Sequence, residues 1–89
     1  MPQLPEVVIY SKHGCCLCDK AKEILKKVQA EIPFSLREVD ISTSRELMEK
    51  YQYLIPVVAI DGGEVLISKI TEFRFRQALQ RAGTPMSSM

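Results

Sequence analysis

The sequence predicts an α/β sandwich in which helices cover both faces of a four-stranded mixed sheet. Short apolar runs of strand length alternate with longer segments of helical period, and a glycine-containing turn joins the last two runs. The resulting order βαβαββα makes the first two strands parallel through a right-handed crossover, with a hairpin closing the sheet. The 89 residues can bury a single modest core, which we place in one domain at residues 6–82, with loose termini at 1–5 and 83–89.

The first strand is predicted at Glu6–Tyr10 and the first helix at Cys16–Glu31. The strand is a continuous apolar run of the kind buried on both faces, so we expect it in the middle of the sheet. Pro33 stops the helix because proline cannot continue the backbone hydrogen bonding. Its apolar residues recur at helical spacing: Ala21, Ile24, Leu25 and Val28.

A second strand and a short second helix follow. The strand, Phe34–Asp40, alternates loosely between apolar and polar residues, which favours a position near a sheet edge. Thr43-Ser44-Arg45-Glu46 has the form of a capping box, and it predicts a helix from about Ser44 to Tyr51.

A hairpin and a last helix complete the chain. The strands Val57–Ile60 and Glu64–Ile67 are joined by Asp61-Gly62-Gly63, where glycines supply the positive φ that tight turns need. Thr71 is expected to cap the last helix and Gly83 to end it. Its apolar stripe consists of Phe75, Ala78, Leu79 and Ala82.

Composition excludes several classes of partner and suggests a compartment. The formal net charge of +1 favours neither nucleic acid nor a membrane surface, and no run approaches the roughly 20 apolar residues of a membrane span. The first ten residues contain no Lys or Arg, unlike a signal or transit peptide. Three clustered cysteines do not form the even, dispersed set of a secreted scaffold. We therefore expect a cytoplasmic monomer.

The three cysteines lie within four residues, at the corner between the first strand and the first helix. A disulfide needs Cα atoms about 4.4 to 6.8 Å apart and side chains that face each other. Cys15 and Cys16 are held about 3.8 Å apart by the peptide bond, and Cys16 and Cys18 project about 200° apart around a helix. Cys15 and Cys18 are roughly 5 Å apart on one face. They are therefore the predicted working pair.

Position in the helix assigns a role to each thiol of this pair. The free N–H groups of a first turn favour an anion, so a thiol there loses its proton more readily. Cys15, preceded by Gly14, is the predicted thiolate nucleophile, and Cys18, one turn further in, is the predicted resolving thiol. Lys12, and His13 when protonated, would add positive charge nearby.

Two other classes of function fit the same residues. His13 and the three cysteines are rich in metal ligands, and thiolates suit Cu(I), Zn or iron–sulfur clusters. However, four ligands within six residues cannot easily surround one tetrahedral ion, so a carrier would need a second chain or glutathione to complete its site. The other alternative is a non-catalytic interaction module that keeps the fold.

Three parts of the sequence resemble a known family. Ser11-Lys12-His13-Gly14-Cys15-x-x-Cys18 after a strand, together with Ile55-Pro56-Val57-Val58, is similar to a glutaredoxin of the thioredoxin superfamily. The Cys-x-Leu-Cys-Asp form and the closing Ile70-Thr71-Glu72-Phe73-Arg74 resemble in particular a small glutaredoxin-like family. The resemblance extends from about Glu6 to Ala82, and it implies a thioredoxin-like sandwich.

The resemblance also implies an activity and a set of site residues. It implies a thiol–disulfide oxidoreductase in which Cys15 attacks and Cys18 resolves, acting on a disulfide-bearing protein or on glutathione as co-substrate, with no bound cofactor. Pro56 would follow a cis peptide bond, the backbone of Ile55 would pair with an extended substrate, and Lys12 would help hold a glutathione carboxylate.

Two positions depart from the glutaredoxin pattern. After the fourth strand, glutaredoxins usually have a Gly-Gly pair and then an acidic residue at the next helix start, where this chain has Ser68-Lys69-Ile70-Thr71-Glu72. Cys16 stands where such motifs commonly have proline. The first departure affects the glutathione site, and the second adds a third thiol that could itself be glutathionylated.

Overall fold

The structure, a computed structural model, describes residues 4–83, which form four strands and three α-helices. The elements in chain order are β1 (Glu6–Ser11), α1 (Cys16–Gln29), β2 (Ser35–Asp40), α2 (Arg45–Tyr51), β3 (Val57–Ile60), β4 (Val65–Ile67) and α3 (Glu72–Gly83). A 3-10 turn, Ile41–Thr43, joins β2 to α2. The predicted α/β class and element order are confirmed.

The four strands form one mixed sheet in the order β2-β1-β3-β4. β1 is parallel to β2 and antiparallel to β3, and β4 is antiparallel to β3. β1 therefore lies inside the sheet, and β2 and β4 are the edges. This arrangement brings the carboxyl end of β1 beside the start of β3, where Tyr10 pairs with Val57.

The main core lies between the sheet and the helices α1 and α3. Cross-strand pairs point to the same face, so Val7 and Ile9 of β1 join Ile60 and Val58 of β3 on the core side. The helices contribute the buried residues Ala21, Leu25, Val28, Phe75, Ala78 and Leu79.

The opposite face of the sheet is covered less completely. Its residues in β1, Val8 and Tyr10, are half-buried, because the helix on this side, α2, has only seven residues. Tyr51 of α2 stacks on Tyr10 with ring centroids 4.7 Å apart. β1 is thus buried on one face and partly open on the other, unlike the continuous burial that its apolar run predicts.

Several element ends differ from the sequence-based bounds. α1 ends at Gln29, two residues early, because Glu31 donates to the carbonyl of Val28, three residues back, instead of to the carbonyl four residues back. α2 is capped by Ser44, whose hydroxyl accepts from the N–H of Leu47 at 3.3 Å. The capping box therefore does not begin at Thr43 as predicted.

The hairpin turn lies against α3, and Pro5 is joined to the start of β2. A Cβ on Gly63 would lie 2.8 Å from the Cβ of Ala82, so glycine permits the close approach of α3 to the turn. Pro5 accepts a hydrogen bond from Ser35 at 2.9 Å. The predicted loose ends fall mostly outside the described residues, at 1–3 and 84–89. No helix within 4–83 has the length and apolar character needed to cross a membrane.

Candidate active site

Cys15 occupies the N-cap position of α1. Its backbone is extended, with φ −92° and ψ 112°, and Gly14 before it has φ 84°, a conformation that favours glycine. Its Sγ accepts a hydrogen bond from the N–H of Cys18 at 3.3 Å, as a serine or aspartate cap would. The sulfur of Cys15 therefore lies at the helix N-terminus, which carries partial positive charge. The side chain of Cys15 is partly exposed to solvent.

Cys18 lies directly behind Cys15 and is fully buried. Burial, and next the hydrogen bond to Cys15, raise the pKa of the Cys18 thiol from 9.0 to about 11. A backbone hydrogen bond from Lys12 and the charge of Lys22 act in the opposite direction. The sulfur of Cys15 is therefore accessible to solvent, whereas the sulfur of Cys18 is buried and protonated.

Cys16 points away from this pair and is exposed to solvent. All three cysteines are free thiols. The arrangement places Cys15 and Cys18 together, as their spacing predicts, and leaves Cys16 at the helix surface.

The other predicted site residues surround this corner in different ways. Pro56 is buried, its peptide bond to Ile55 is cis, and continuing the β1–β3 register places it opposite Ser11, next to the loop that carries Cys15. The N–H of Ile55 donates to the carbonyl of Tyr51 at 3.1 Å, and within residues 4–83 no backbone N–H outside the helices and strands donates to the carbonyl of Ile55.

Lys12 is exposed at the start of the Cys15 loop. Its carbonyl accepts from the N–H of Cys15 at 3.3 Å, so its backbone helps to shape the loop. Its side chain forms no ion pair within residues 4–83.

Ser68 is a feature that sequence reasoning missed. It has φ 67°, in the left-handed region that non-glycine residues rarely adopt. Its N–H donates to the carbonyls of both Leu54 and Pro56, at 3.0 and 2.8 Å. This residue, at the first position of the departure from Gly-Gly, therefore ties the end of β4 to the loop of Pro56.

An ion pair near Cys18 was also missed. Lys22 lies one helical turn after Cys18 and bonds Glu38 of β2, and this hydrogen bond raises the pKa of Lys22. Both line a polar cavity of about 310 Å³ at the carboxyl ends of β1 and β2, together with Ser11, His13 and Asp40. The i, i+4 spacing of Cys18 and Lys22 was the available signal, but the partner on β2 could not be read from sequence.

The arrangement of ligands bears on the metal-carrier alternative. Within residues 4–83, no group of three or more His, Cys, Asp or Glu side chains is placed to hold a metal ion. Cys16 projects away from the Cys15 and Cys18 pair, which explains why the dense sequence cluster does not become a chelating site.

The sheet order and the Cys-x-x-Cys helix start define a thioredoxin-like α/β protein of the glutaredoxin type. The chain belongs to the glutaredoxin-like domain family (DUF836), whose model matches residues 6–80. It is 26% identical over 88 residues to uncharacterized protein Rv0508 of Mycobacterium tuberculosis, covering 91% of both chains. Uncharacterized protein Mb0520 of Mycobacterium bovis matches with the same identity and coverage.

Solved structures share this fold. The crystal structure of protein XcR50 from X. campestris has a TM-score of 0.69 and 27% identity, and the match covers 80% of this chain and 91% of that one. The solution structure of Ne2328 from Nitrosomonas europaea gives 0.71 at 20% identity, over 86% and 92% of the two chains. Glutaredoxin from Brucella melitensis gives 0.56 at 21% identity, over 86% and 83%.

Proposed function

We propose that this protein is a thiol–disulfide oxidoreductase in which Cys15 attacks a disulfide and Cys18 resolves the product. The observation that carries the proposal is the cap geometry of α1. The outer sulfur accepts the Cys18 N–H at 3.3 Å at a helix N-terminus, with a buried thiol one turn behind it. This geometry favours a thiolate where solvent can reach it and a protonated thiol where solvent cannot.

The reaction proceeds in two exchange steps. The Cys15 thiolate attacks one sulfur of the substrate, forms a mixed disulfide and releases the other substrate sulfur as a thiolate. Cys18 then loses its proton, attacks the Cys15 Sγ, forms the Cys15–Cys18 bond and releases the second substrate thiolate. Two electrons pass from the protein dithiol to the substrate, and solvent supplies the protons that the released thiolates take up.

The surroundings of Cys18 determine when its thiol can react in the second step. Before capture, burial and the hydrogen bond to Cys15 keep the pKa of Cys18 high. Once Cys15 is bound in the mixed disulfide, it can no longer hold a thiolate, so its contribution to that high pKa disappears. Lys22 continues to favour the Cys18 thiolate through its charge. The inner thiol therefore becomes reactive after the outer one has been used.

The remaining site residues have supporting roles in this proposal. Pro56 borders the cysteine corner, the free carbonyl of Ile55 accepts a substrate N–H, and Lys12 attracts a substrate carboxylate. The substrate is a disulfide-bearing protein, with glutathione as co-substrate, and the enzyme acts as a monomer in a reducing compartment such as the cytoplasm.

Trapping the intermediate tests the proposal directly. We expect Cys18→Ser to accumulate a mixed disulfide at Cys15 when the reduced protein meets a stoichiometric disulfide, because the resolving thiol of Cys18 is missing and the remaining thiol, Cys16, lies at the exposed helix surface. Intact-mass analysis followed by peptide mapping identifies the attached group and its position.

Two matched variants control this experiment. Cys15→Ser preserves a hydroxyl cap for α1 and should trap nothing, whereas Cys16→Ser should leave capture and resolution intact. Capture that persists in Cys15→Ser, or that moves to Cys16, would refute the assigned nucleophile.

A further inference from the structure

The outer edge of β4 is open. In the antiparallel pair with β3, the bonds flanking β4 run from the N–H of Ile60 to Glu64 at 3.1 Å and from the N–H of Ser68 to Pro56 at 2.8 Å. Along such a strand, residues that hydrogen-bond to the partner strand alternate with residues that do not. The N–H and C=O groups of Val65 and Ile67 therefore point away from β3. No strand within residues 4–83 pairs with them on that side.

A shallow cavity of about 200 Å³ runs along this edge. It is lined by the three residues of β4 together with Lys69 and Arg74. Successive strand side chains point to opposite faces, so a cavity that contacts all three β4 residues follows the edge and not one face of the sheet. The side chains of Val65 and Ile67 are 59% and 50% exposed, which adds apolar surface beside the free backbone groups.

Two cations stand beside this edge without a counterion. Lys69 and Arg74 are both exposed, and neither forms an ion pair within residues 4–83. Other cations nearby are neutralised: Arg81 pairs with Glu64 at 2.9 Å, and Arg76 with Glu72 at 2.8 Å. The edge therefore combines unused backbone donors and acceptors with unbalanced positive charge.

We propose that the β4 edge binds an extended, acidic segment of a partner protein as a fifth strand. Backbone hydrogen bonds to Val65 and Ile67 hold the segment, and its carboxylates contact Lys69 and the guanidinium of Arg74. Strand addition needs a partner without helix or bulky turns at this point, and the two cations select acidic sequences over basic ones. The binding does not require the cysteines, so it stands apart from the proposed redox chemistry.

A labelled peptide of eight residues, alternating glutamate and valine, is the probe. We expect the double variant Lys69→Glu with Arg74→Glu to weaken its binding about tenfold or more in fluorescence anisotropy at about 0.15 M salt, where screening limits the effect to charges near the peptide. The matched control, Lys20→Glu with Lys26→Glu, makes the same change of net charge on the solvent face of α1. That control should change the affinity less than about threefold. The variant Cys15→Ser with Cys18→Ser should bind like the parent protein.

Two further measurements test the backbone pairing itself. Val65→Pro removes an N–H that no sheet partner within residues 4–83 uses, so it should abolish binding while leaving the unfolding temperature nearly unchanged. In the parent protein, the peptide should slow hydrogen exchange at the amides of Val65 and Ile67.

Three results would overturn the inference. One is equal loss of affinity in the two charge-reversed variants. Another is undiminished binding of a peptide in which proline replaces every valine. The third is a dimer of the free protein that Val65→Pro dissociates, because the edge would then serve a second copy of this chain.

Discussion

At the scale of single residues, the candidate site depends on a contrast between two sulfurs. Cys15 caps α1 and is partly exposed, while Cys18 is fully buried behind it. In the proposed reaction a thiolate attacks and a thiol does not, so we expect the buried sulfur to limit the second step at neutral pH. Lys22, which forms an ion pair with Glu38, acts on Cys18 through its charge.

The pH dependence of resolution follows from this contrast. Burial is the largest cause of the raised pKa of Cys18, and it persists in the mixed disulfide, so the thiolate fraction at pH values below this pKa increases about tenfold per pH unit. We expect the release of the second substrate thiol to accelerate accordingly between about pH 7 and 9. Quenched single-turnover mass spectrometry of a preformed mixed disulfide measures this rate. Cys18→Ser should show no release at any pH, and a rate independent of pH would contradict the prediction.

The same pKa has a consequence for stability with a defined sign. The folded protein holds the Cys18 proton more tightly than the unfolded chain does, with a pKa of about 11 instead of 9.0. This contribution to the free energy of unfolding is therefore fully present below pH 9.0 and is lost as pH rises through about 11. Alkaline unfolding of the parent protein should begin at a lower pH than that of Cys18→Ala.

Sequence reasoning identified part of this residue-scale picture. The spacing of Cys15 and Cys18 is local, so helix geometry was enough to pair them and to separate Cys16. Lys22 and Glu38 belong to α1 and β2, and their contact exists only once the crossover has packed the helix on the sheet. A tertiary contact of that kind leaves no periodic signal in the sequence.

At the scale of elements, the end of β4 is joined to the loop that carries Pro56. The N–H of Ser68 donates to two carbonyls of that loop, and to make these bonds the residue adopts a left-handed backbone. The sequence predicted the hairpin but not this conformation, because serine carries no signal for positive φ where glycine would. The two hydrogen bonds of Ser68 offset the free-energy cost of its left-handed backbone.

Replacing Ser68 by glycine should stabilise the protein. Left-handed backbone costs a residue with a side chain roughly 1–2 kcal/mol, and the greater freedom of glycine in the unfolded chain offsets about 0.5–1 kcal/mol of the relief. We expect Ser68→Gly to raise the free energy of unfolding by about 0.5–1 kcal/mol, a rise of several degrees in melting temperature. Thermal unfolding followed by circular dichroism measures the shift.

Ser68→Ala is the matched control for this variant. It removes the hydroxyl but keeps a Cβ in the left-handed conformation, so it should give no gain in melting temperature. A glycine variant no more stable than the alanine variant would show that strain at this position contributes nothing.

At the scale of the whole molecule, one core carries the stability. Leu25 of α1 is fully buried among residues of the sheet and α3, whereas Leu17, two turns earlier on the same helix, is 49% exposed. Phe34 and Phe75 close this core with rings 5.4 Å apart in an edge-to-face arrangement. A domain of this size has little stability to spare, so single core residues matter.

Replacing each of these two leucines by alanine should distinguish a core position from a surface position by the loss in the free energy of unfolding. We expect Leu25→Ala to cost about 2–5 kcal/mol through lost burial and a residual cavity. Leu17→Ala, the same chemical change on the same helix, should cost less than about 0.5 kcal/mol. Urea unfolding of both variants gives the comparison, and equal losses would place the core elsewhere.

Much of the global architecture was readable from sequence. The unbroken apolar run in β1 correctly predicted an interior strand, and the mixed polarity of β2 correctly predicted an edge. The uneven covering of the two sheet faces was not predicted, because it depends on how much of the sheet the seven residues of α2 can span. Val8 reads as a core residue in sequence and is only half-buried in the fold.

The surface position of Cys16 affects how the protein behaves once it has reacted. The chain has three cysteines, so closing a bond between Cys15 and Cys18 always leaves one sulfhydryl over, and that one is on the outside. Two molecules oxidised in this way can therefore form an intermolecular disulfide through Cys16 in air, giving a band of twice the mass on a non-reducing gel. Alkylation of Cys16, or the variant Cys16→Ser, should prevent this dimer during handling and storage.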